Sequence, residues 1–342
     1  MTRHFLLAVF ICAIATLLRG ADERPRPAPN RPTEPKAKAV SIAKGVAFLD
    51  AVSADWTANR KCATCHTNVA YLIARPSLGV KTNADETAVR AFFEKSATNW
   101  ERGGKGDAPK NTSDVVVIAA SLAIHDAGST GKLHPTTRKA LDHMWKLQQK
   151  DGAWDWEKCD WPPLEHDDYY GAVLAALGVG MAPDGYAKTD KAKAGLAKLR
   201  GYLAKTAPPT LHHKAWLLWA SKNLDGLMTA DEQKKTIAAL VAVQKPDGGW
   251  SLPSLGDWKG FDGRANDARA ASDGYGTGLV ITILRKAGVK KDAPAVVKGV
   301  AWLKANQRES GRWFTQSLNT DRAHYISNAG TAYALLALKE SE

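Results

Sequence analysis

Apolar residues along the chain fall into two alternating kinds of segment. One kind spaces them at helical intervals among charges, as Ala140, Leu141, Met144, Trp145 and Leu147 do, which predicts amphipathic helices with one wet face. The other kind is small and almost wholly apolar, as in "DDYYGAVLAALGVG", "SDGYGTGLVITIL" and "ISNAGTAYALLAL", which predicts helices packed on all sides. Asp, Ser or Asn stands at each of these starts, where a side-chain oxygen can cap open amides. The alternation predicts an all-α chain of helix pairs over 41–52 with 64–75, 85–97 with 113–124, 136–149 with 167–177, 190–205 with 211–221, 230–244 with 273–284, and 294–307 with 327–338. The first helix of each pair is the more charged and belongs outside; the second belongs inside. Such pairs bury their faces only against neighbouring pairs, and six of them can close into a ring.

Three turns between the helices share one pattern, Gln-x-x-x-Gly-x-Trp: "QQKDGAW" (148–154), "QKPDGGW" (244–250) and "QRESGRW" (307–313). Glycine supplies the turn's backbone freedom. The tryptophan can fold back on the preceding helix while the glutamine bonds nearby backbone groups.

Composition adds a compartment. Apolar residues make up 44% and charged residues 24% of the 342, enough apolar surface for a sizeable core. Arg3 followed by the apolar run Phe5–Leu18 is too short to span a bilayer and predicts a leader over residues 1–21, hence an exported protein of the periplasm or cell envelope. The Pro-rich, charged stretch 22–40 predicts a disordered linker, and 41–342 one folded domain. Loss of Arg3 and Arg19 with the leader lowers the formal charge from +12 to +10, a surplus that permits association with acidic membrane surfaces. No Lys/Arg run is dense enough to mark a nucleic-acid site.

The repeats and the alternating helices resemble the squalene–hopene cyclase family, whose domains are α/α toroids; protein prenyltransferase β-subunits share that barrel. The resemblance covers residues 41–340 and implies a single (α/α)6 toroid. It implies a terpenoid-cyclase-like enzyme acting on an isoprenoid or other apolar small molecule by acid-initiated cyclisation. Those cyclases carry Asp-x-Asp-Asp at the start of an inner helix, and Glu165, His166, Asp167 and Asp168 stand at the matching positions. The resemblance gives Asp167 the proton-donor role, with Glu165 in place of the first aspartate. His212 or His213 would stiffen the acid. Tyr169, Tyr170, Trp216, Trp219, Tyr275 and Tyr333 are candidates for cation stabilisation by their ring faces. The structural alternative is that these acids only cap a helix and favour its dipole, and that the rings are core. Family cyclases place the active site between two helical domains, whereas this chain has room for one. A partner domain, a second copy or a membrane would have to close the cavity. The prenyltransferase pattern fits less well: Asp273 is near the expected zinc-ligand position, with no cysteine following it.

"RKCATCHTN" (60–68) adds a separate chemistry. Cys62, Cys65 and Cys159 are the cysteines downstream of the leader. Cys-x-x-Cys-His in an exported protein predicts thioether-bound haem c on Cys62 and Cys65, with His66 as the iron ligand. The alternatives are a zinc site formed by the three cysteines and a histidine, or a Cys62–Cys65 disulfide. Met144, Met181, His125, His166 and His324 are the candidates for a sixth iron ligand. Two further functions stand beside the cyclase: a haem-c redox or ligand-binding protein on a non-cyclising toroid, and a non-catalytic protein-binding scaffold.

Overall fold

A computed structural model describes residues 26–100, 111–159 and 161–342. The leader expected at 1–21 lies outside the described residues. Twelve α-helices follow in order: α1 (Ile42–Arg60), α2 (Asn68–Ala74), α3 (Ala84–Thr98), α4 (Thr112–Ser129), α5 (Pro135–Lys146), α6 (Asp168–Met181), α7 (Asp190–Lys205), α8 (Leu211–Ser221), α9 (Ala230–Ala242), α10 (Gly274–Lys286), α11 (Pro294–Asn306) and α12 (Ile326–Glu340). They form the six expected pairs. No strand is present among the described residues, only isolated bridges at Lys36–Arg308 and Trp161–Glu165.

The even-numbered helices form the inner ring. Each packs on the next, and α12 returns to α2, so the ring is closed. Burial follows the two kinds of apolar pattern. Every residue from Tyr169 to Val179 of α6 is buried, whereas α9 buries only Thr236 and Leu240.

The Gln-x-x-x-Gly-x-Trp turns explain how pair joins pair. Each indole folds back and donates to a carbonyl ten residues upstream: Trp154 to Met144, Trp250 to Leu240 and Trp313 to Leu303, at 2.7–2.8 Å. Each glutamine bridges two repeats. Gln148 donates to Gly152 and to Gly195 of α7, and Gln244 to Gly248 and to Ala295 of α11. Gln307 donates to Gly311 and to Ser41, which caps α1. The glycines hold φ of +106°, +90° and +98°, and a Cβ on any of them would meet the backbone of the next outer helix. The third turn therefore seals the last repeat to the first.

Residues 26–40, expected to be a disordered linker, instead cross this seam. Arg312 pairs with Glu34 and donates to Asn30 Oδ1 at 3.0 Å, and Asn30 donates to Asn328 Oδ1 at 3.2 Å. Arg312 is buried, so its charge needs these partners, and they fix the strap.

The ring's interior differs from the sheltered cavity expected for an apolar guest. Tyr170, His212, Trp216, Tyr275 and Tyr333 meet there. Trp216 of α8 reaches Tyr333 of α12 with ring centroids 5.8 Å apart, across the face of α10. All five residues are buried, and aromatic contacts fill the axis.

A second buried network ties the first two pairs together. Arg75, following α2, lies 2.9 Å from Asp50 Oδ1 and 3.3 Å from Glu86 Oε2. Tyr71 and Asn83 also donate to Asp50, at 2.6 and 2.7 Å. His125 bonds Glu86 at 3.0 Å and Arg90 at 2.7 Å. Arg90 donates to its Nδ1, which makes Nε2 the protonated nitrogen facing Glu86.

Candidate functional site

The starts of α2, α6, α8, α10 and α12 gather at one mouth of the ring, with the two sets of candidate residues side by side. A helix turns about 100° per residue, so neighbours at these starts face different sides. His212 and Tyr170 point into the aromatic plug. His213, Asp167 and Tyr169 point towards the outer layer, where Tyr169 lines the groove between α7 and α9.

Asp167 caps α6, accepting from the Tyr170 amide at 3.0 Å. Its Oδ2 lies 2.9 Å from His213 Nε2, an ion-pair distance whose angle falls short of a good hydrogen bond. Burial alone would raise the Asp167 pKa, but the His213 contact and the Tyr170 amide outweigh it and hold the carboxyl below the usual range. An alkene-protonating acid must keep its proton, and this environment strips it. Asp168 accepts from the Trp156 amide and Lys158, both at 3.0 Å. The structure thus brings Asp167 and His213 together and gives the two aspartates capping and pairing contacts.

His212 is buried and neutral, held well below the ordinary histidine range by burial and by its neighbour His213. Its Nε2 accepts from Trp216 Nε1 at 3.1 Å and lies 2.9 Å from the Tyr275 hydroxyl, which places the proton on Nδ1.

Glu165 is a carboxyl whose hold on its proton is strengthened by its surroundings. Burial, then the charges of Glu157 and Asp114, push it up to about 7, and a bond from Thr64 only partly offsets them. Folding therefore favours the protonated form. Its contribution is present below about pH 4.5 and lost as pH rises towards about 7. Glu165→Gln should melt like wild type at pH 4. It should be more stable at pH 8 by roughly 1–3 kcal/mol. Thermal melts across that range check this, and a constant offset at every pH would contradict it.

The Cys-x-x-Cys-His segment forms the turn before α2. Asn68 shapes it, accepting from the Thr64 amide at 2.8 Å and donating to the Cys62 carbonyl at 3.0 Å. Helix therefore begins at Asn68, four residues later than expected. No disulfide joins Cys62, Cys65 and Cys159. The described residues also contain no group of three or more His, Cys, Asp or Glu side chains poised for a metal, so the alternative zinc set is not assembled among them. Cys65 is buried, and its thiol is pushed well up by burial and by Glu165.

His66 sits in an aromatic nest, stacked on Tyr325 at 5.5 Å and edge-on to Trp56 at 4.8 Å, with Trp161 at 6.5 Å. Its Nδ1 contacts the Thr67 hydroxyl at 2.8 Å, and burial lowers its pKa to about 4. A void of about 20 Å³ lies against it, bounded by Trp161, Pro162, Leu164, Glu165, Ser317 and Ile326. None of the expected sixth ligands lines this void. His125 is spent on Glu86 and Arg90, His324 accepts from the Ser317 amide, and Met144 is buried in α5. The aromatic nest and the high affinity of Glu165 for its proton had no sequence signal, because Trp56, Trp161, Glu165 and Tyr325 come from separate segments.

No family model matches the chain. A squalene–hopene cyclase of Bradyrhizobium diazoefficiens is 31% identical over 159 residues, which cover 42% of this chain and 22% of that protein. Among solved structures, the ent-copalyl diphosphate synthase from Streptomyces platensis superposes with TM-score 0.53 at 14% identity, over 80% of this chain and 50% of that one. A polysaccharide lyase gives 0.53 at 14% identity, over 87% of this chain and 96% of its own. A glycosidase variant in complex with glucose gives 0.51 at 13%, over 87% and 97%. The chain thus spans about a fifth of the curated relative and half of the diphosphate synthase. The likenesses establish an α/α toroid fold, which the diphosphate synthase, the polysaccharide lyase and the glycosidase share.

Proposed function

We propose that the chain is an exported haem-c redox or ligand-binding protein on a non-cyclising toroid, with Cys62 and Cys65 as thioether positions and His66 as the proximal ligand. The carrying observation is His66 itself. It is a neutral imidazole directly behind the Cys-x-x-Cys turn, with Nδ1 2.8 Å from the Thr67 hydroxyl; in the tautomer that donates from Nδ1 to Thr67, Nε2 is the ligating nitrogen. Anchoring through the other ring nitrogen is how a protein fixes the orientation of a ligand histidine. Trp56 and Tyr325 then limit water around it. The donor set fits haem c. Ligand-sized sites run to several hundred Å³, so the 161–165 turn that covers His66 has to move aside for the group to be seated. Haem, when bound, supplies one-electron transfer or ligand binding at iron. The filled ring interior and the ionised Asp167 weigh against polyene cyclisation as the main activity.

Maturation with a haem-c export system should give a protein roughly 600 Da above the polypeptide mass. Its visible absorption should survive acid–acetone extraction, and both signals should vanish in the Cys62→Ala/Cys65→Ala double variant. An unmodified mass without visible bands rejects the proposal.

Glu165 supports a second reading, acid-initiated chemistry on an isoprenoid. It keeps its proton to about pH 7 beside the ring's aromatic residues, in the run aligned with the cyclase acid motif. On this reading Glu165, rather than Asp167, is the acid. Squalene incubated with the protein should yield a cyclised product that Glu165→Gln abolishes and Asp167→Asn retains; absence of any product removes the reading.

A further inference from the structure

One opening at the ring's mouth is distinct from the void beside His66, with Ser317 bounding both. It is a cleft of about 550 Å³ bounded by five separated segments: the strap at Pro32 and Lys36, the second tryptophan turn at Asp247, the loop 253–273, the end of α11, and residues 314–318. That volume is within the range of small-molecule sites.

Three aromatic rings stand in its wall. Trp258 is buried and packs edge-on against His212, while Trp302 and Phe314 are half-exposed. Trp302 is held in place by a bond from Nε1 to Asp247 Oδ2 at 3.0 Å, and Asp247 is itself held by Ser272 at 2.7 Å. Asn266 is fixed by bonds to the Pro253 and Gly256 carbonyls at 2.8 and 2.9 Å. These contacts pre-set the side chains before any ligand arrives.

Two features define what the cleft can accept. Its charges are mixed, with Asp247 and Asp267 against Lys36, Arg264 and Arg308, while Asp273 is buried and spends its two oxygens on the Leu252 and Gly276 amides. In addition, Arg264, Asp267 and Gln316 bring donors and acceptors to the exposed part of the wall. A hydroxyl donates and accepts alike, and the C–H face of a pyranose lies flat on an aromatic ring. We infer that this cleft binds a neutral saccharide, stacked on Trp302 and Phe314 and hydrogen-bonded by the polar wall. A polyanion would meet the Asp247 and Asp267 carboxylates, and a lipid would strand the polar groups.

Calorimetric titration of the full chain with maltohexaose, cellohexaose, laminarihexaose and xylohexaose tests this, with hexagalacturonate as the anionic comparison. At least one neutral hexasaccharide should bind, and more tightly than hexagalacturonate. Trp302→Ala should weaken that binding about tenfold or more, whereas Trp302→Phe, which keeps a ring, should stay within about threefold of wild type. Should Trp302→Ala melt below wild type, Phe314→Leu takes its place and should weaken binding similarly. The inference is overturned by absence of heat with all four neutral probes, by unchanged affinity in the ring-deleted variant, or by tightest binding to hexagalacturonate. Haem content does not enter this test, so its result is independent of the Cys62 and Cys65 chemistry.

Discussion

Arg75→Ala should destabilise the protein by about 3–5 kcal/mol, the range for removing one partner of a buried ion pair. Arg75 is 1% exposed, and it neutralises two buried carboxylates at once, Asp50 from α1 and Glu86 from α3. Without the guanidinium, both acids must either protonate or stay charged in an apolar setting. Tyr71, Asn83 and His125 donate to these carboxylates but supply no fixed positive charge. The melting temperature should fall by roughly 5–8 °C. The exposed Asp231–Lys235 pair is the control: Lys235→Ala should change stability by about 0.5 kcal/mol or less. Equal melting of Arg75→Ala and wild type would show that the network carries no net charge stabilisation.

Gly311→Ala is the second large effect. Gly311 has φ +98°, and a Cβ there would lie 2.3 Å from the Lys44 carbonyl oxygen of α1. Backbone strain of about 1–3 kcal/mol adds to a clash with main chain that cannot swing away. The total should reach about 3 kcal/mol or more. Gly185→Ala separates the two causes. Gly185 has φ +65° with nothing within 4 Å of the added atom, so only the conformational cost, about 1 kcal/mol, should remain. Chemical denaturation of both variants measures the difference. Hydrogen exchange should quicken in α1 for Gly311→Ala alone, because that substitution parts the seam with Gln307. Equal losses in the two variants would show that contact with α1 is not what the glycine secures.

How much of this was legible follows from how local each signal is. Helix pairs and tryptophan turns are short-range patterns, and α7, α8 and α9 begin at the expected residues 190, 211 and 230. The start of α2 was misplaced because Asn68 diverts four residues into a turn, using side-chain bonds that no periodicity reports. The order of His212 and His213 is plain in the sequence. Which of them faces the axis is set by a helix rotation that spacing does not resolve. Arg75 lies in the apolar run "AYLIARP", and its partners are 25 and 11 positions away on other helices. The strap was misjudged on composition, since its proline content is real but Asn30 and Glu34 find a buried arginine near the far end of the chain.

The closure of the ring also decides when the molecule can become whole during synthesis. Ser41 waits for Gln307 and Asn30 for Asn328, separations of 266 and 298 residues, and α2 has no flank on one side until α12 emerges. Contacts this remote form late. A nascent chain therefore carries an uncovered greasy strip on its earliest inner helix for almost its entire time on the ribosome, the interval in which sticking to a wrong neighbour is the main hazard.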